Sequence, residues 1–113
     1  MRLINQTKHT VLAEDVSFAD TPAKRIKGLL GRKDFNQGQA LIIKPCNSIH
    51  TFFMRFPIDV LFVSSSHKVI KTISDFAPFR LSPVCFSSHF VVELPSTTLR
   101  STSTTKGDQL RLE

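Results

Sequence analysis

The chain has 113 residues, 41% of them hydrophobic, with 15 Lys and Arg against 9 Asp and Glu, a formal net charge of +6 and a pI near 9.8. That length supports one core rather than two, so residues 1–113 are expected to form a single domain, and the hydrophobic fraction excludes a disordered chain. Two cysteines exclude a disulfide framework, and no apolar run reaches the roughly 20 residues of a membrane-crossing helix.

The N-terminal stretch MRLINQTKHTV has neither an apolar segment nor a small-residue cleavage site. The expected location is therefore the cytoplasm, with both cysteines as thiols and no membrane partner. Residues 1–4 and 9–18 read as short strands. In DTPAKRIKGLLGR, Thr21 is suited to cap a helix and Pro22 to its first turn. Ala23, Ile26, Leu29 and Leu30 then recur at helical spacing. This predicts an amphipathic helix over 22–30, closed by Gly31, with Lys24, Arg25 and Lys27 facing solvent.

FNQGQ (35–39) reads as a turn and ALIIK (40–44) as a buried strand stopped by Pro45. IHTFFMR (49–55) and IDVLFV (58–63) read as two further strands, separated by Phe56 and Pro57. SSSH (64–67) is turn-like, HKVIKTIS (67–74) alternates as a strand, and 75–88 is a long loop holding Pro78 and Pro83. FVVEL (90–94) is a strand, PSTTLRSTSTT (95–105) a loop or distorted helical turn, and KGD leads into a terminal strand, QLRLE. Many short strands with one helix predict a mainly β fold, a compact antiparallel barrel or jelly-roll-like sandwich.

In chain order, TPAKRIKGLLGR, ALIIKPCNSIHTFFMRFPIDVLFV, FVVELP and KGDQL resemble the family labelled domain of unknown function 192, also called uncharacterised protein family 0127. The resemblance spans roughly residues 10–113. It implies a small β-barrel of jelly-roll type with a peripheral helix, and it supplies no reaction or cofactor. Many relatives carry Trp where this chain has Phe53, and an Asp and Gly turn where it has Ser64, Ser65 and Ser66.

The segment CNSIHTFFMRFPIDVLFV (46–63) threads Cys46, His50, Arg55 and Asp59 through apolar residues. On a strand, His50 and Met54 share one face while Thr51, Phe53 and Arg55 share the other. Asp59 falls in phase with Leu61 and Val63, so its carboxylate needs a partner. One reading gives it Arg55 or backbone N–H groups as a structural partner. The other brings His50, Arg55 and Asp59 together at one end of the barrel. There they would bind a small polar or anionic ligand or a peptide, with Thr51, Phe53, Met54 and Cys46 beside them. The second reading, non-enzymatic ligand binding, is the expected function.

Two other classes have residues to support them. Cys46 and His50 supply a thiol and a base for a thiol-dependent enzyme, although Pro45 provides no helix N-terminus to lower the thiol pKa. Lys24, Arg25 and Lys27 supply a phosphate-binding surface for nucleic acid, without interleaved aromatic residues for base stacking. Cys46, His50, His67, Cys85 and His89 include metal-ligand types, but in no recognised metal-site spacing, so no metal and no cofactor is expected.

Overall fold

Residues 1–113 are all described by the computed structural model. The strands are β1 (Leu3–Asn5), β2 (Thr10–Ala19), β3 (Gly38–Ile43), β4 (Ile58–Val63), β5 (Val69–Phe76), β6 (Phe90–Pro95) and β7 (Leu110–Leu112). Two short helices, α1 (Pro22–Lys27) and α2 (Thr98–Ser101), lie between them. All seven strands form one sheet in the order β5-β4-β6-β3-β2-β1-β7.

The sheet is mixed rather than wholly antiparallel: β2 and β3 run parallel. Parallel neighbours need a crossover of a dozen or more residues, and the segment containing α1 provides it. The sheet also curls until its two edge strands meet at one end. Val69 N–H donates to Asp108 O at 2.9 Å, Leu110 N–H donates to His67 O at 2.8 Å, and Lys68 bridges Gln109. The result is a half-closed, barrel-like sheet.

Curling gives the sheet an inner and an outer face, each with its own core. Leu3, Leu12, Ile42, Leu61, Val63, Val69, Val92, Leu94 and Leu110 fill the inside, together with Leu99 of α2. Ala19, Leu41, Ile43, Ile58, Val60, Phe62 and Val91 pack on the outside against Leu29, Ile49 and Met54. The interior strands β4 and β6 are buried along their whole lengths because both faces are covered. Each fully buried Leu, Ile, Val or Phe contributes about 2 kcal/mol of transfer free energy.

Two expected elements come out differently. The segment 49–55 is not a strand. Only His50 pairs, in an isolated bridge to Leu81, and Phe53 turns into the left-handed region at φ 63°. The Thr51 side chain takes over the hydrogen bonding that a ladder would supply. Its Oγ1 donates to Ala77 O at 2.6 Å and accepts from Arg80 N–H at 2.9 Å, tying the 49–55 turn to the 77–82 loop. The first helix ends at Lys27 rather than residue 30, because Gly28 adopts φ 48° and closes it with an N–H bond to Lys24 O. Thr21 caps the start as expected, its Oγ1 accepting from Lys24 N–H at 3.2 Å. The early stop turns Leu29 inward and leaves Ile26 exposed instead of buried.

Candidate functional site

Between α1 and the outer face of the sheet lies a pocket of about 390 Å³, within the range typical of small-molecule sites. Its apolar wall includes Leu29, Ile43, Ile49 and Met54, and its polar lining includes Arg25, Lys27, His50 and Glu93. Crossing from β2 to β3 carries α1 over the outer face, while the segment after Pro45 forms the opposite wall.

Glu93 is the most unusual residue in this pocket. Alternation along FVVELP sends Val92 and Leu94 inward and turns Val91 and Glu93 outward, beneath α1. Glu93 is buried, and its Oε1 has no hydrogen-bond partner. A Cβ added at Gly28, where α1 ends, would lie 4.0 Å from that oxygen. Burial pushes the carboxyl from its ordinary value of 4.5 up to about 8, so in this environment it holds a proton at neutral pH. A buried, unpartnered carboxyl in the lining of a pocket is a site feature with a stated physical basis.

Cys46 and His50 also line the pocket, but they do not bond to each other. Cys46 Sγ contacts Ser48 O at 3.0 Å, and His50 Nδ1 accepts from Phe52 N–H at 3.3 Å. Burial pushes the Cys46 thiol up, and the nearby Glu93 adds to that effect while Arg25 opposes it. The thiol is thus held protonated rather than activated.

The other sequence-selected residues separate. Met54, Arg25 and Lys27 join Cys46 and His50 at the pocket, and Lys24 does not. Thr51 is buried in the turn-to-loop tie described above. Phe53 is 76% exposed and meets the edge of Phe79 rather than walling a pocket. Arg55 is exposed and belongs to none of the molecule's three ion pairs, so its expected pairing with Asp59 does not form. Asp59 lies on the inner face, where Oδ1 accepts from Asp75 N–H and Oδ2 from Leu99 N–H, both at 2.8 Å. The expected convergence of His50, Arg55 and Asp59 is therefore replaced by a convergence of His50, Cys46, Arg25 and Glu93. The remaining sulfur and imidazole residues stay dispersed: no three His, Cys, Asp or Glu side chains cluster closely enough to hold a metal ion.

Sequence reasoning missed Glu93. Its available signal was a single acid inside an otherwise apolar strand, FVVELP. The same logic had singled out Asp59. The face of the sheet that each occupies, and the donors that face supplies, distinguish the two.

A family model, DUF192, described as an uncharacterized ACR family, matches residues 3–112. A UPF0127 protein of Thermococcus sibiricus is 31% identical over 98% of this chain and 74% of its own. Another, from Pyrococcus furiosus, is 30% identical over 96% of this chain and 95% of its own. The fold is also that of a protein of unknown function from Novosphingobium aromaticivorans. That crystal structure matches with a TM-score of 0.84 at 17% identity, covering 98% of this chain and 82% of its own. No helix is long and apolar enough to cross a membrane. By family match and by identity across nearly its whole length, the chain belongs to domain of unknown function family 192, the UPF0127 proteins.

Proposed function

We propose that this protein binds a small polar ligand in the pocket between α1 and the outer face of the sheet. One observation carries the reading: Glu93 is buried, its Oε1 accepts no hydrogen bond, and the residue lines that pocket. A polar group left in this state costs about 1–3 kcal/mol. Packing alone does not require a carboxyl at this position, since Leu or Gln would fill a similar space without the ionisation penalty. A ligand that pairs with Glu93 would offset the penalty and explain the residue.

The role is binding rather than catalysis. The Cys46 thiol is held protonated, and the His50 ring bonds to the backbone of its own turn. Arg25 and Lys27 contribute cations to the pocket lining instead of an extended phosphate-tracking stripe, and Lys24 stays outside it.

The test compares native and denatured masses of gently purified protein, alongside a thermal-shift panel of polar metabolites, for wild type and Glu93→Leu. Extra native mass, or a stabilising shift, that is lost in the folded Glu93→Leu variant supports the proposal. Binding that survives this substitution undiminished, or no response to any compound, overturns it.

A further inference from the structure

The lining of the pocket is electrostatically sorted. Buried Glu93 is the only acid among the lining residues, and α1 carries two cations into the lining, Arg25 and Lys27. Neither cation reaches the Glu93 carboxyl, and neither belongs to an ion pair elsewhere in the molecule. Apolar residues such as Leu29, Ile49 and Met54 share the lining. The pocket thus combines a buried, unpaired acceptor, two cations from α1 that belong to no ion pair, and a hydrocarbon surface.

We infer that the ligand is a small zwitterion with an aliphatic body, its ammonium group on Glu93 and its carboxylate toward Arg25 and Lys27. This rests on the reading of the pocket as a ligand site. An ammonium nitrogen supplies both of the things that Glu93 lacks, a hydrogen-bond donor and a compensating charge. A neutral hydroxyl supplies only the first. An anion offers Oε1 no donor and no compensating charge, and meets Glu93 only by accepting the proton that the acid carries. Burial holds a proton on Glu93 near neutral pH, so pairing with an ammonium expels that proton to solvent while the ammonium keeps its own.

Four probes of equal chain length separate these cases: 6-aminohexanoate, hexylamine, hexanoate and hexanol. Calorimetric titration of the intact protein near neutral pH should detect 6-aminohexanoate and hexylamine. Their heats should vary with the ionisation enthalpy of the buffer, because a proton is released. Glu93→Gln keeps the shape and the donor–acceptor character of the protonated acid but cannot become an anion. It should bind both amines roughly ten- to a hundredfold more weakly, the loss of one charge-assisted hydrogen bond. The double variant Arg25→Ala/Lys27→Ala should weaken 6-aminohexanoate and leave hexylamine unchanged.

Amine binding that is insensitive to Glu93→Gln, or that releases no proton, overturns the inference. Binding of hexanoate or hexanol in preference to the amines overturns it too, while leaving the pocket a ligand site. A pocket that answers to none of these probes, nor to the polar metabolite panel, removes both readings together.

Discussion

Glu93→Gln should make the protein more stable, and the gain should grow with pH. In the unfolded chain the carboxyl ionises near 4.5, whereas in the fold it does so near 8. Below pH 4.5 both states hold the proton and the residue contributes no difference. Between these values the unfolded state loses its proton and the folded state keeps it, so wild-type stability falls as pH rises, by about 1.4 kcal/mol per pH unit. At pH 7 the accumulated penalty is about 3 kcal/mol, and above pH 8 it levels near 5 kcal/mol. Gln at this position has the same shape and no titration. The stability difference, Gln variant minus wild type, should therefore be small at pH 4, climb through neutrality and flatten above pH 8. Urea unfolding of both proteins across this range, without added ligand, gives the curve directly, and other titrating groups cancel in the difference. A loss of about 3 kcal/mol would be a large part of the 5–15 kcal/mol that ordinarily holds a small domain together. Parallel stability profiles from pH 4.5 to 8 would refute the reasoning, because they would mean that Glu93 ionises in the fold as freely as in the unfolded chain.

Asp59→Ala should cost about 2–4 kcal/mol in urea unfolding, since it strands the N–H groups of Asp75 and Leu99. The same change should leave the ligand response of the pocket intact, because Asp59 is on the opposite face of the sheet; a loss below about 1 kcal/mol would show that water replaces the carboxylate freely. Cys46 should react with iodoacetamide more slowly than free cysteine at neutral pH and accelerate only as the solution becomes more alkaline than an ordinary thiol requires. Faster alkylation than free cysteine would restore the thiol-dependent enzyme as the better reading.

Most strands were legible because their patterns are local. IDVLFV, FVVEL and QLRLE become strands at or within a residue of the positions that alternation predicts. The helix start was legible for the same reason, with Thr21 and Pro22 satisfying a cap that depends on neighbouring residues alone. The errors arose where distant groups decide the conformation. IHTFFMR has the composition of a strand, but Thr51 finds its hydrogen bonds in the 77–82 loop and the chain turns there instead. Gly28 rather than Gly31 ends α1, a choice that depends on how the following residues dock on the sheet. The parallel pairing of β2 and β3 leaves no local mark either, because it depends on the path of the crossover. Part of the candidate site is legible: Cys46, His50, Met54, Arg25 and Lys27 stand out in the sequence, but in two separate hypotheses.

Asp59 and Glu93 show why those hypotheses merge into one site. Each is the sole acid in a fully buried interior strand of the sheet, and they lie almost opposite each other, Asp59 pairing with Leu94 and Val60 with Glu93. By composition they are equivalent. The pleat points them to opposite faces, and the faces differ in what they offer. Inside, the start of α2 and the end of β5 present two N–H groups, and Asp59 accepts from both; its charge is consumed in holding the barrel together. Outside, α1 passes above Glu93, and nothing in the chain donates to its buried oxygen. A buried carboxylate with its hydrogen bonds complete explains itself by stability, so Asp59 needs no ligand. The same group without them lowers stability, and its presence calls for a partner that the chain does not contain. The distinction between the structural acid and the proposed binding acid therefore lies in which face of one sheet each residue occupies, and it is the reason the proposed site is the helix-covered outer face rather than the interior of the barrel.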